Sequence, residues 1–177
     1  MLHIFQITDY NDPTLQKVKS LYFSSFPEEE RRDWLSIEDM IANNYNLFNL
    51  NVALDDNGEF IGFITSWTLP GALYIEHFAV EDNKRGGGIG ATFFHDLTDG
   101  EGNVILEVEL PGSGDMADRR IAFYERNGMT ALRDFNYVQP PYATGLPSVP
   151  MMLMTKCQIP QLDKFVKQFH RIVYNVK

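Results

Sequence analysis

Seven consecutive residues, Arg85-Gly86-Gly87-Gly88-Ile89-Gly90-Ala91, limit most strongly what this chain can fold into. They lie between a strand-like run, Leu73-Tyr74-Ile75-Glu76-His77-Phe78-Ala79-Val80, and a helix-like run from Ala91 to Leu97. Glycine lets a backbone turn through positive φ and approach a ligand closely. The first-turn N–H groups of the helix that follows have no intrahelical partner, and the helix dipole favours an anion beside them. A phosphate group is therefore the expected occupant of the turn.

The flanking sequence fixes the setting. Phe48, Leu50, Val52 and Leu54 alternate with polar residues as in a strand with one buried face. Asp55-Asp56-Asn57-Gly58 is a hairpin signal of the type I′ kind, Phe60 to Leu69 returns, and Pro70-Gly71 turns into Leu73–Val80. This predicts an antiparallel meander. The topology then changes: strand, glycine turn, helix and the strand Val104–Leu110 form a βαβ unit and hence a parallel pair. A helix over Asp115–Asn127 closes on Gly128, and strands near Ala131–Val138 and Val149–Lys156 follow. Upstream come a strand at the start of the chain, a helix opened by Asp12-Pro13, and a second helix opened by Ser36-Ile37-Glu38-Asp39, read as a capping box. Leu162, Phe165, Val166, Phe169 and Val173 mark a C-terminal amphipathic helix that caps the core or helps to make a dimer. The expectation is a single α/β (α+β) domain over residues 1–177, with a mixed sheet of six to seven strands flanked by helices.

Composition narrows the partners. With 24 acidic against 15 basic residues and a net charge of −9, the chain lacks the basic stripe of a nucleic-acid binder. No apolar run is long enough to cross a bilayer, and the first residues do not read as a signal peptide. A single cysteine, Cys157, expected in the last strand with a structural role, fits a reducing, cytoplasmic setting. His3, His77, His95 and His170 show no ligand spacing, so no metal site is expected; His77 reads as a hydrogen-bonded core histidine. An acidic chain that binds a polyanion needs local cations, and Lys84 and Arg85 stand beside the glycines.

Three phosphate loops compete. A Walker loop requires a lysine after the glycines, and none follows. Gly86-x-Gly88-x-x-Ala91 formally matches a dinucleotide fingerprint, with Glu107 or Glu109 about twenty residues on, but that motif follows a near-continuously apolar strand. The strand here carries Glu76 and His77. The third reading includes the cation. Arg85-Gly86-Gly87-Gly88-Ile89-Gly90 resembles the acyl-CoA pyrophosphate loop of the GNAT superfamily of N-acetyltransferases, Arg/Gln-x-x-Gly-x-Gly/Ala. Phe123-Tyr124-Glu125-Arg126-Asn127-Gly128-Met129 resembles that family's second signature, in which Phe-Tyr-Glu-(Lys/Arg)-x-Gly-Phe closes a helix. The resemblance covers nearly the whole chain in element order and about thirty residues as motif.

The resemblance implies a splayed pair of parallel strands with the pantetheine arm of acetyl-CoA between them, paired to the backbone of Phe78, Ala79 and Val80. The amides of Arg85, Gly86, Gly87, Gly88, Ile89, Gly90 and Ala91 would cradle the pyrophosphate. Tyr124 resembles the tyrosine that protonates the departing thiolate. The family often has Asn where this chain has Ala117, which leaves Arg119 and Arg120 as alternative contacts to the cofactor.

Acetyl transfer to an amine requires a proton acceptor, a donor for the developing oxyanion and an acid for the thiolate. A carboxylate inside a central strand must be paired or lie in a polar cavity. Glu76 and Glu107 both meet that description, and Glu109 is a third candidate. Strand alternation places Tyr74, Glu76 and Phe78 on one face and Ile75 and His77 on the other. By resemblance, the acceptor side is lined by Pro27–Trp34 and Gln139–Pro150. Glu28, Glu29 and Glu30 would attract a cationic amine, with Trp34, Tyr137 and Tyr142 as an apolar wall. The expected activity is acetyl-CoA-dependent acylation of a small-molecule or peptide amine by a monomer or homodimer. The alternatives are a catalytically weak acyl-CoA-binding or sensing module and, third, a dinucleotide-binding oxidoreductase.

Overall fold

In the computed structural model, which describes residues 1–176, one eight-stranded sheet runs through the molecule in the order β1-β2-β3-β4-β5-β8-β6, with β7 also paired to β8. Strand β1 (His3–Gln6) leads into α1 (Thr14–Ser25), then α2 (Trp34–Ala42). Strands β2 (Phe48–Leu54), β3 (Phe60–Leu69) and β4 (Ala72–Val80) form the expected antiparallel meander. Helix α3 (Ile89–Thr98) and strand β5 (Val104–Glu109) complete the parallel crossover. After α4 (Asp115–Arg126) come β6 (Thr130–Ala131), β7 (Tyr137–Gln139), β8 (Val149–Thr155) and α5 (Leu162–Val173). No helix among the described residues is long and apolar enough to cross a membrane.

Each face of the sheet is covered by helices whose apolar spacing matches it. Leu15, Val18, Leu21 and Tyr22 of α1, Ile37 and Ile41 of α2, and Val166, Phe169 and Val173 of α5 join one core. Phe93 and Phe94 of α3 with Ile121 and Tyr124 of α4 build the other. The C-terminal helix thus caps the core, as its periodicity predicts.

Several local expectations change. The single strand near Ala131–Val138 is two short ones, β6 and β7, which meet different parts of β8. The second helix opens at Trp34, so Ser36 lies inside its first turn and forms no capping box. The hairpin after β2 takes positive φ at Gly58 alone, while Asp55 Oδ1 accepts the N–H groups of Asn57 and Glu59; this is not a type I′ turn. Cys157 lies just beyond β8 and is exposed.

Two irregularities in β4 position the site. Pairing with β5 stops at Ile75↔Leu106, although both strands continue. The strands therefore splay, and the later backbone of β4 has no β5 partner. The antiparallel register with β3 also shifts by one between Thr65↔His77 and Ser66↔Ile75, leaving Glu76 as an extra, bulged residue. A bulge re-aims the side chains that follow it. His77 consequently shares the α1 side with Tyr74, its ring meeting Tyr22 and Phe26, whereas Phe78 turns to Phe93, Phe94 and Phe123. Unbroken alternation predicted the reverse for both residues.

Candidate active site

A cavity of about 1050 Å³ opens beside the splay. Its walls include Phe78, Ala79 and Val80 of β4, the turn residues Arg85, Gly86 and Gly88, and Ile89, Gly90 and Ala91 at the start of α3. Of the residues expected to bind cofactor, only Gly87 lies off this wall. Gly86, Gly87 and Gly88 all have positive φ, at 96°, 60° and 80°, so the loop needs its glycines for conformation. A Cβ at any of the three would meet no protein atom within 4 Å. The opposite wall is α4, through Arg119, Arg120, Phe123 and Tyr124.

The cations divide. Arg85 faces the cavity, holding Val80 O through Nε at 3.0 Å and Asp82 at 2.8 Å. Lys84 does not; it pairs with Asp55 at 3.2 Å and with Glu59, because the short 3-10 turn at Asp82–Lys84 directs it back toward the first hairpin. Arg120 ion-pairs with Glu109, the third carboxylate candidate, which that contact neutralises.

A smaller cavity of about 40 Å³ lies within the splay and shares Phe26, Phe78, Arg120 and Tyr124 with the large one. Glu76 and Glu107 both line it, together with Glu30, Gln139 and Tyr142. Their surroundings differ. Glu76 accepts from Arg32 at 2.8 Å, Trp67 Nε1 at 2.9 Å and Tyr142 at 3.1 Å. The Arg32 guanidinium also stacks over the rings of Trp67 and Tyr142. Burial works against charge on Glu76, but Arg32, with His77 and the Trp67 hydrogen bond adding to it, outweighs burial and holds the carboxyl below its ordinary range. Glu107 has no cationic partner among the described residues. Its Oε2 accepts from Tyr74 at 2.9 Å and Tyr174 at 2.7 Å, and Oε1 accepts from Tyr137. Burial raises its pKa to about 7, with the three hydroxyls pulling the other way and Glu76 adding to the rise.

Tyr124 lines both cavities. Burial pushes its hydroxyl up to about 12, opposed by Arg120, so the phenol keeps its proton at neutral pH. His77 is the core histidine expected: Nε2 donates to Glu30 O at 3.0 Å, Nδ1 meets Thr65 Oγ1 at 3.0 Å, and burial lowers its pKa.

The wall expected for the acceptor is corrected in part. Tyr137 and Tyr142 reach the two glutamates, but Trp34 is buried in the core with its Nε1 on Glu38. Of the three acidic residues of the connector, only Glu30 faces the small cavity, and burial followed by Glu109 raises its pKa. The sequence reading did not identify Arg32, Trp67, His170 or Tyr174. The need of a buried carboxylate for a cation was a signal that an arginine belonged here, though not which one.

These features agree with known proteins. A family profile described as the acetyltransferase (GNAT) family matches residues 15–129. The chain belongs to this family. A solved GNAT-family protein from Bacteroides thetaiotaomicron is 33% identical, with a TM-score of 0.88 over 99% of each chain. The spermidine/spermine N-acetyltransferase SpeG of Vibrio cholerae is 15% identical, with a TM-score of 0.61 over 94% of this chain and 96% of that one. NAA60 of Arabidopsis thaliana, solved with a bisubstrate analogue, is 16% identical, with a TM-score of 0.63 over 88% and 97%. The latter two show the fold alone. A search of curated proteins finds no match. Membership sets aside the dinucleotide reading, and the strand before the glycines belongs to an antiparallel meander. This GNAT chain is thereby an acetyltransferase-fold protein with acetyl-CoA as the family's co-substrate.

Proposed function

We propose that the protein transfers an acetyl group from acetyl-CoA to a primary amine by direct attack on the thioester, with Glu107 as base and Tyr124 as acid. The observation that carries this reading is the contrast between the two glutamates in the splay. A base that works near neutrality needs a pKa near the operating pH. Glu107 has one, at about 7, whereas Glu76 is held ionised by Arg32. Glu76 then fixes Arg32 and Tyr142 along the acceptor side.

The cofactor fits the large cleft on physical grounds. The pyrophosphate would lie on the α3 amides and near Arg85, with Arg119 as a further cation. The pantetheine amides would pair with the edge of β4 around Phe78–Val80, which β5 leaves free. The thioester would then stand at the junction of the two cavities, beside Tyr124. Glu107 takes a proton from the ammonium, the freed nitrogen attacks the thioester carbonyl, and the C–S bond breaks as Tyr124 gives its proton to sulfur; the second nitrogen proton, lost as the amide forms, returns to the Tyr124 oxygen. The amide and CoA are the products. A cationic acceptor is favoured by Glu30 and Glu107, neither of which pairs with Lys or Arg among the described residues.

The test is to titrate the protein with acetyl-CoA, then follow thiol release across a panel containing spermidine, amino-acid amides and short peptides. Acetyl-CoA binding with amine-dependent thiol release is expected. Binding without release for every amine would favour the sensing module. Gly88→Glu is expected to abolish acetyl-CoA binding by placing a charged, strained residue where the pyrophosphate lies. Unchanged affinity in that variant would overturn the phosphate assignment.

A further inference from the structure

We propose that Glu107, Tyr137 and His170 form a proton relay that carries the proton taken from the acceptor amine to solvent beside α5. The inference rests on the reading of Glu107 as the base.

The carboxylate of Glu107 is closed in by Tyr74 from β4, Tyr137 from β7 and Tyr174 just beyond α5. A base so enclosed needs a route by which its proton leaves between turnovers. Two of the three tyrosines lead inward: Tyr74 and Tyr174 bond each other at 3.1 Å, and Tyr174 meets Tyr142 at 3.5 Å. Tyr142 in turn reaches Glu76, which Arg32 holds ionised. Tyr137 leads outward. Its hydroxyl stands 2.9 Å from His170 Nε2, and His170 is only half-buried. The same hydroxyl contacts Glu107 Oε1.

A phenol has one proton, which permits two arrangements. With Glu107 ionised, Tyr137 donates to Oε1 and His170 donates from Nε2 to the Tyr137 oxygen. With Glu107 protonated, Oε1 donates to the Tyr137 oxygen and Tyr137 donates to Nε2, with the His170 proton on Nδ1. Passage between them is a shift of two protons. Glu107 gives its proton to the Tyr137 oxygen as Tyr137 gives its own to Nε2. Burial disfavours the imidazolium so formed, lowering the His170 pKa to about 4, so it is a transient that at once releases the Nδ1 proton to water. One proton enters at Glu107 and one leaves at Nδ1, no covalent bond to carbon changes, and exchange of the ring proton from Nε2 to Nδ1 through water restores the relay for the next turnover.

The charged and titratable groups around this path are few. Glu107 faces Tyr74 and Glu76 from β4, Tyr137 from β7, Tyr142 from the loop before β8, and Tyr174. Around His170 are the rings of Tyr137, Phe169 and Tyr174, and no salt bridge to it forms among the described residues. His170 acts through Glu107 and is a positioning residue.

The tautomer of His170 reports the relay directly. In full-length protein labelled with ¹⁵N-histidine and ¹³C-glutamate, long-range ¹H–¹⁵N spectra distinguish Nδ1–H from Nε2–H. The expected result is Nδ1–H at low pH and Nε2–H at high pH, with the exchange at the midpoint of the Glu107 carboxyl titration. Tyr137→Phe, which keeps the ring and removes the hydroxyl, should abolish that coincidence. A tautomer that stays fixed, or an exchange that persists in Tyr137→Phe, overturns the relay. With the first panel amine that turns over, His170→Ala should lower kcat about tenfold, below the ~10²-fold of a direct acid–base group. The KM for acetyl-CoA should be unchanged, and added imidazole should restore the rate. Activity that does not depend on Glu107, tested in Glu107→Gln, overturns the base reading and the relay together. Loss of activity in Glu107→Gln with a fixed His170 tautomer overturns the relay alone.

Discussion

Glu76 and Glu107 are the same side chain on adjacent strands, and their partners give them opposite properties. Arg32 holds Glu76 ionised, while burial, with no cationic partner among the described residues and against the pull of three phenols, leaves Glu107 easy to protonate. Environment sets acid–base roles in this way wherever two carboxyls share a site. The stability consequence has a definite sign. A carboxyl whose folded pKa is raised costs nothing below the unfolded value near 4.5, where both states hold the proton. It destabilises increasingly up to about pH 7 and by a constant amount above that. A rise from 4.5 to about 7 corresponds to roughly 3 kcal/mol. Glu107→Gln should therefore melt higher than the parent at pH 8 and no higher at pH 4.5, read by calorimetry at both. Both glutamates were legible in the sequence as carboxylates out of place in strands. Their roles were not, because Arg32 is 44 residues from Glu76 and Tyr174 is 67 from Glu107. Only the fold brings such partners together.

The glycine turn, the meander and the parallel crossover were legible because each has a local cause: positive φ, alternation, or a helix between two strands. The break in β4 was not. A bulge adds one residue against the partner strand, and nothing in Leu73–Val80 marks where alternation slips. That slip puts Glu76 and His77 with Tyr74 on the proposed acceptor side and turns Phe78 to the proposed cofactor side. The hairpin behind it is tightly constrained. Gly62 pairs with Val80, and a Cβ at Gly62 would come within 2.2 Å of Ala79 O. Relief requires backbone movement in the segment expected to bind pantetheine. Gly62→Ala should lower stability by about 1–3 kcal/mol and weaken acetyl-CoA binding, measured by thermal unfolding and calorimetric titration. Native affinity in this variant would show that the Ala79–Val80 backbone does not hold the cofactor. The misplaced capping box has a simpler cause: Trp34 is drawn into the core beside Tyr22, so the helix begins two residues earlier than Ser36.

Over the whole molecule, the matched family profile ends at residue 129, yet the cage around Glu107 is completed by Tyr137 and Tyr174. Strand β8 inserts between β5 and β6, and α5 then covers the sheet with Val166, Phe169 and Val173. Arg32 is tied to the end of this helix through the carbonyl of Val173. The C-terminal segment is thus part of the core and of the proposed acceptor side alike. A chain ending at Lys156 should lose cooperative unfolding, checked by circular dichroism against temperature; a sharp transition would show α5 to be dispensable. The chain has two tryptophans. Trp34 is sequestered against Glu38, whereas Trp67 donates to Glu76 and lies under the Arg32 guanidinium at 4.9 Å. The proposed acceptor side therefore contains its own fluorophore. In a Trp34→Phe background, docking of an amine should change the emission of Trp67, allowing unlabelled compounds to be screened optically before any turnover is observed.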